Sequence, residues 1–241
     1  MNRKSSLLIA SMITFLIAGN YLFFSDEGIV RERVEILRVL DGDTVELADG
    51  RKIRLLNINT PEKGFPYSEL AKNYLMNFTE TELETQGLDK YGRTLGRLYF
   101  NGIYLNLNIV KEGMAHTYLV GDSEENIFEE AEDYARKNEL NIWQKSDFYG
   151  CLDVEINKYD EYLDIMDNCN VDFTSWSIKD ESTKSYKFDS DIGTSFRVYS
   201  AEGKDSEVEL HWGRENIWND DHDEIFIRDN FGFLAYYDSY G

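Results

Sequence analysis

The chain has 241 residues, 42% hydrophobic and 14% aromatic, with only two prolines. That is enough apolar material for one large or two small cores, and it excludes wholesale disorder or a proline-rich linker. The net charge is −21, so a broadly basic nucleic-acid-coating surface is excluded and any phosphate binding must be local. Residues 1–28 balance to zero, residues 29–148 carry 15 basic and 22 acidic groups, and residues 149–241 carry 8 and 22. So acidic a surface suits solubility in a salty medium, where charge repulsion is screened.

Arg3 and Lys4 precede an uncharged run from Leu7 to Phe24, followed by Asp26 and Glu27. A hydrophobic N-terminal helix of that length is a membrane-span candidate, and the flanking charges put its N-terminus inside. Residues 1–28 read as a signal-anchor, with a cleaved signal peptide as the competitor; a small-residue cleavage site is not convincing. The body is then extracytoplasmic, membrane-anchored or secreted. In that compartment Cys151 and Cys169, the only cysteines, are expected to pair as a disulfide, with two buried thiols as the alternative.

Val30–Leu40 reads as a strand, Asp41-Gly42-Asp43 as a turn and Thr44–Ala48 as a second strand. Asp49-Gly50 signals a hairpin into a third strand over Lys52–Ile58, with Ile53, Leu55 and Asn57 on one face. Pro61 ends that strand, and Pro66 opens a helix with Leu70, Tyr74, Leu75 and Phe78 on its apolar face. Strands follow over Leu83–Leu88 and Leu95–Phe100, then a turn at Asn101-Gly102 and a short helix Leu105–Lys111 closed by Gly113. Asp122 and Ser123 are expected to cap a helix running to Asn138, with Ile127, Ala131, Tyr134 and Ala135 buried and its acidic residues in water. This order predicts a small β-barrel of the OB type wrapped by helices. From residue 149 on, eight short apolar alternations separated by turn residues predict an all-β sandwich. The boundary is placed near Ser146–Gly150, giving units 29–148 and 149–241 and a mostly β protein with some α.

Phosphodiester hydrolysis needs the anionic oxygens neutralised, a water oriented and the transition-state charge stabilised. Asp43, Asn59 and the Thr60 backbone can supply oxygen ligands to a hard cation such as Ca²⁺. Glu62 is the candidate base or water-orienting carboxylate. Arg54 and Arg93 can each clamp a phosphate through paired hydrogen bonds, and Lys90 and Tyr91 can add outer contacts. Singly, these are a solvated turn, a strand end and a surface loop; in this order on barrel strands they make a site.

These stretches carry a resemblance. LDGDTVEL at 40–47, IRLLNINTPE at 53–62, DKYGRTLGRLYF at 89–100, VKEGMAHTY at 110–118 and LNIW at 140–143 are similar to the staphylococcal nuclease (thermonuclease) family. The resemblance spans about residues 33–145 and implies a five-stranded OB-type barrel and Ca²⁺-dependent cleavage of DNA and RNA. It makes Asp43 a metal ligand, Thr60 a backbone ligand, Glu62 the general base, and Arg54 and Arg93 the phosphate clamps. Tyr118, at the end of one signature, joins Lys90 and Tyr91 as a substrate contact. Two departures stand out. Asn59 replaces an aspartate ligand, so Ca²⁺ affinity is expected to fall or another divalent ion to be taken. The segment after Glu62 is also short, so a mobile loop of the founding member is largely missing.

VDFTSWSIKDES at 171–182, HWG at 211–213 and the run IWNDDHDEIFIRDNFGFLAYYDSY at 217–240 resemble a lamin-tail domain. That implies an immunoglobulin-like sandwich and an interaction module with no chemistry of its own. The three histidines lack metal-site spacing, the acidic run at 220–224 reads as a loop, and Trp176, Trp212 and Trp218 as sandwich core or rim. The leading functional expectation is an extracytoplasmic nuclease whose sandwich serves a surface partner. The alternatives are a catalytically weak or inactive nucleic-acid- or protein-binding surface module, favoured by Asn59 and the net acidity, and an adhesion protein.

Overall fold

The structure is a computed structural model describing residues 30–182, 184–188, 192–214, 217–219 and 222–240. The apolar run at 7–24, with the signal-anchor expectation and the N-terminal hydrophobic helix, lies outside the described residues. Among the described residues no helix is long and apolar enough to cross a membrane.

The first half builds around strands β1 (Glu32–Val39), β2 (Thr44–Leu47), β3 (Lys52–Leu55), β5 (Glu80–Leu88) and β6 (Thr94–Phe100). Their order is β3-β2-β1-β5-β6, and a parallel β3–β6 pairing closes the five strands into a barrel, which removes both sheet edges. A two-residue β7 (Ile103–Tyr104) extends β6, and β4 (Ile58–Asn59) pairs with β8 (His116–Thr117). Helices α1 (Ser68–Leu75), α2 (Leu105–Lys111) and α3 (Glu125–Lys137) pack outside. Val45, Leu47, Ile53, Leu55, Leu83 and Leu98 fill the interior together with Ile109, Val110 and Phe128 from the helices.

Four expectations need correction. The strand predicted over Lys52–Ile58 stops at Leu55, because Asn57 adopts a left-handed backbone (φ 67°) and β4 restarts at Ile58. That turn is stabilised by side chains: Asn57 Nδ2 donates to Glu124 Oε2 (2.8 Å), and Asn106 Nδ2 donates to the Leu56 carbonyl (2.9 Å). No side chain caps α3, which starts after Glu124 rather than Asp122 or Ser123. Its buried face is Phe128, Ala131 and Ala135, while Ile127 and Tyr134 are largely exposed. Glu132 points inward, accepting from Thr117 N (3.0 Å) and Oγ1 (2.6 Å), so not every acidic residue of α3 faces water.

After a short 3₁₀ turn at Asn141–Trp143 the chain forms two four-stranded sheets. One is ordered β14 (Glu209–His211), β13 (Ser195–Tyr199), β10 (Tyr162–Asp167), β9 (Leu152–Asn157). The other is β12 (Ser185–Lys187), β11 (Ser177–Lys179), β15 (Asp223–Arg228), β16 (Leu234–Tyr240). All eight apolar alternations are strands, and both sheets contribute to one core containing Leu163, Ile178, Phe196, Ile227 and the buried Trp176, Trp212 and Trp218. Cys151 and Cys169 form a disulfide beside β9. Several acids here are backbone clamps. Asp167 accepts from Cys169 N and Val171 N, Asp223 from Asn219 N, Glu181 N and Glu224 N, and Asp229 from Phe231 N and Phe233 N.

The barrel and the two-sheet unit share a third core. Ala135, Ile142 and Trp143 from the first half pack against Phe226 and Leu234 from the second. The connecting strand segment adds to the sheet: Leu234 N donates to Gln144 O (2.8 Å) and Ser146 N to Leu234 O (2.9 Å). Around this core lies a buried ionic network. His116 Nδ1 is 3.4 Å from Glu132 Oε1, and Arg228 approaches His116 Nε2 at 3.4 Å. Tyr237 Oη donates to Glu224 Oε1 (2.8 Å). Burial, with the Glu132 carboxylate nearby, pushes Glu224 up to about 7. Burial pulls Lys179 down to about 8 and holds His116 well below its ordinary value.

Two expected outcomes follow from this interface. Phe226→Ala removes a fully buried ring that meets His116, Trp143 and Tyr237. It is expected to cost about 3–5 kcal/mol in denaturant unfolding and to separate the transition into two. The native chain holds a Glu224 proton that the unfolded chain releases between pH 4.5 and about 7, so this group's stabilisation is lost as pH rises through that window. His116, buried neutral, acts oppositely and costs stability below pH 6.5. The melting temperature of Glu224→Gln is therefore expected to gain on the unmutated chain as pH rises from 4.5 to about 7.

Candidate functional site

The site begins with the turn between β1 and β2. Gly42 lies against the barrel's next crossover: a Cβ there would stand 2.7 Å from Thr60 Oγ1 and 2.9 Å from Ala71 Cβ. This close approach brings Asp43 onto Thr60. Asp43 Oδ2 accepts from Thr60 N (3.4 Å) and Oγ1 (3.2 Å), and Asp43 Oδ1 accepts from Thr44 Oγ1 (3.0 Å). The second oxygen also meets Arg54 Nε at 3.3 Å. Ladder register explains the pairing, since Thr44 is opposite Arg54 across β2 and β3. Asp43, Asn59 and Thr60 are all buried, at 9%, 1% and 5% exposure.

Asp41, which sequence reasoning treated only as a turn residue, belongs here too. Its Oδ1 accepts from Asp43 N (3.2 Å), and burial together with the Asp43 charge holds its carboxyl above the usual range. Asn59 Nδ2 donates to the Ser182 carbonyl (2.9 Å), whereas Asn59 Oδ1 is buried and has no hydrogen-bond partner. A buried carboxylate, an orphaned amide oxygen one residue from Thr60 and a second crowded carboxylate are hard-oxygen donors, the chemistry that a divalent cation such as Ca²⁺ takes. Asp43, Asn59 and the Thr60 backbone would hold it. Among the described residues there is no cluster of three or more His, Cys, Asp or Glu side chains with metal-site geometry, so the set depends on amide and carbonyl oxygens.

Arg93 stands at the mouth of β6. The β3–β6 register sets Thr94 beside Ile53 and Leu95 beside Arg54, so the 89–93 turn lies toward the end of β3 that begins at Lys52, while Arg54 lies toward the end where Leu55 N donates to Asp43 O. Arg93 is held by Asp89: its backbone N donates to Oδ1 (2.9 Å) and its Nε to Oδ2 (2.7 Å). Burial opposes ionisation of Asp89, but these bonds and that from Tyr91 N keep its carboxyl below the usual range. Tyr91 is 72% exposed, with Lys90 Nζ and the Arg93 guanidinium 5.0 and 5.5 Å from its ring centre. The turn thus presents two cations and an aromatic face to solvent. Glu62 is exposed on the segment after Pro61. Tyr118 is not gathered with these groups in any hydrogen bond of its ring; its backbone N donates to Asn57 O, and its side chain lines a groove with Glu125, Glu129 and Glu132. An acidic groove is a poor place for a nucleic-acid contact.

Asn106 is the supporting residue that sequence reasoning missed. It is fully buried and binds Leu56 O, Gly96 O and Leu98 N, tying the turn before β4 to β6. An amide on the otherwise apolar inward face of α2 was the available signal.

The family described as staphylococcal nuclease homologue matches residues 52–145. The chain is 32% identical over 126 residues to a thermonuclease of Staphylococcus intermedius, covering 46% of this chain and 75% of the relative. The chain belongs to the staphylococcal nuclease family. It is likewise 33% identical over 127 residues to a micrococcal nuclease of Shigella flexneri, covering 46% and 73%. An uncharacterized endonuclease of Escherichia coli is 34% identical over 120 residues, covering 46% and 77%. Membership supports a hydrolytic nuclease with a nucleic-acid substrate and agrees with the closed five-stranded barrel; the matches account for the first half of the chain.

Gly42→Ala is expected to push Thr60 off Asp43. Denaturant unfolding should show a loss of about 1–3 kcal/mol from overpacking, and the Thr60 amide resonance should shift as its hydrogen bond is lost.

Proposed function

We propose that this chain is a divalent-cation-dependent nuclease, with Ca²⁺ the favoured ion, that hydrolyses phosphodiester bonds of DNA and RNA. The carrying observation is the contact of Asp43 with both Thr60 and Arg54, which joins an oxygen ligand set to a phosphate-binding guanidinium. Bound there, the cation would supply charge neutralisation at a phosphate oxygen. Arg54, held at Asp43 and by its donation to Leu55 O, orients one face of the phosphate. Arg93, pre-set by Asp89, donates to the phosphate and leaving-group oxygens as charge builds. Glu62 accepts the proton of the attacking water. Lys90 and Tyr91 contact the strand beyond the scissile bond, the lysine by charge and the tyrosine by stacking.

The apolar run at 7–24 between basic and acidic flanks supports an extracytoplasmic enzyme, anchored with its N-terminus inside or secreted. The two-sheet second half, with its signatures at 171–182 and 217–240, supports a lamin-tail-like, immunoglobulin-like domain over 149–241.

The test is cleavage of single-stranded DNA by the intact chain with Ca²⁺ and with chelator, alongside Glu62→Gln and Arg93→Ala. Cleavage should require the ion and fall by about 10²–10⁴-fold in Glu62→Gln, with melting temperatures unchanged. Turnover equal to the unmutated chain in either variant would remove that residue from its role. Failure to cleave with any divalent ion would favour a binding module.

A further inference from the structure

The second half of the chain reaches into the site just described. Asn59 Nδ2 donates to the carbonyl oxygen of Ser182, 123 residues away in sequence and just beyond β11. That oxygen comes from a segment that is itself fixed. Ser182 N donates to Asp180 Oδ1 (3.1 Å), and Ser182 Oγ donates to both Asp180 oxygens (2.8 and 2.9 Å). Asp180 is only 1% exposed.

The contact decides which way the Asn59 amide faces. With Nδ2 committed to a carbonyl, Oδ1 is the acceptor of the amide left over, buried and without a hydrogen-bond partner. An aspartate at 59 would set a carboxylate oxygen against the Ser182 carbonyl at hydrogen-bond distance, with no proton between them. The second half also grips the stretch that follows. Lys187 Nζ lies 3.4 Å from Gly64 O and 4.5 Å from the Phe65 ring centre. Gly232, with φ 90°, lets its backbone approach Pro66 so closely that a Cβ would stand 2.2 Å from Pro66 Cβ. The segment from Asn59 to Pro66, which carries Glu62, is therefore held at both ends by the two-sheet unit.

We propose that Ser182 is a positioning residue of the nuclease site: its carbonyl, set by the Asp180 clamp, turns the Asn59 amide so that Oδ1 serves as the cation ligand. The amide at 59 is then the form the two-sheet unit requires, not a decayed aspartate, and that unit is a working part of the enzyme. This rests on the reading of Asp43, Asn59 and Thr60 as a cation site.

The experiment uses the intact chain. Ser182→Gly removes the hydroxyl that clamps the segment, and Ser182→Thr keeps it. Proton exchange of the Asn59 side-chain amide, read by NMR, and Ca²⁺ affinity, read by calorimetry, are the measurements. Ser182→Gly should speed Asn59 amide exchange and weaken Ca²⁺ by about 10-fold or more, as loss of outer-shell support does, and Ser182→Thr should restore both. Asn59→Asp should fail to tighten Ca²⁺ despite its added charge, and should raise backbone hydrogen exchange across residues 177–182. Wild-type amide exchange and Ca²⁺ affinity in Ser182→Gly would overturn the proposal, as would tighter Ca²⁺ in Asn59→Asp with unchanged exchange at 177–182. An unmutated chain giving no heat with Ca²⁺ would instead overturn the cation reading, and Asn59 exchange would still show whether Ser182 holds the amide.

Discussion

Closure of the barrel by the short parallel pairing of β3 and β6 is the constraint on which the site depends. Only three residue pairs make it, Ile53 with Thr94, Arg54 with Leu95 and Leu55 with Gly96. A parallel pair needs a long crossover, and here that crossover carries Asn59, Thr60 and Glu62 before returning through α1 and β5. The same pairing sets Arg54 opposite Thr44 on one side and beside the start of β6 on the other. Asn106 reinforces the junction from α2, satisfying Leu56 O and Gly96 O where the strand bends away. Without that amide, buried carbonyls at the bend would lose their donor, which costs more than the bond itself is worth.

Charge at the site is arranged by pairing more than by abundance. A chain of net charge −21 repels a polyanion at long range, and salt shortens that repulsion to roughly 8–10 Å near physiological strength. Inside that distance the local arrangement governs. Arg54 sits on Asp43 and Arg93 on Asp89, each aligned by a carboxylate before any phosphate arrives. Many of the remaining acids carry structural duties. Asp167, Asp180, Asp223 and Asp229 satisfy backbone donors in the turns of the two-sheet unit. Glu124 joins Asn57 to Arg97 at the barrel.

The junction between the halves combines an apolar core with buried ionisable groups, an arrangement that favours a defined docking geometry at some cost in desolvation. Trp143, Phe226 and Leu234 supply the apolar burial. Arg228 donates to the Ile142 and Gly232 carbonyls, so a guanidinium on β15 fixes the 3₁₀ turn that ends the barrel half. The same half sets its Asp180–Ser182 segment against Asn59.

Local chemistry made much of this legible in the sequence. Period-two alternation and the turn signals marked the barrel strands and all eight strands of the second half, because side-chain alternation is set by the strand backbone itself. The signatures around Asp43, Asn59–Glu62 and Arg93 were readable because neighbouring residues carry the chemistry and their order is preserved along the chain. The break at Asn57 was not readable: it depends on Glu124 and Asn106, distant residues that stabilise a left-handed turn within an apolar run. The inward turn of Glu132 likewise needs Thr117, and the exposure of Ile127 and Tyr134 needs the placement of α3 on the barrel. The meaning of Asn59 was the least accessible. The sequence by itself determined that an amide stands where a carboxylate ligand was expected; only the tertiary structure decided which atom of that amide is spent on a partner and which is left over, because the Ser182 carbonyl that takes Nδ2 lies 123 residues away.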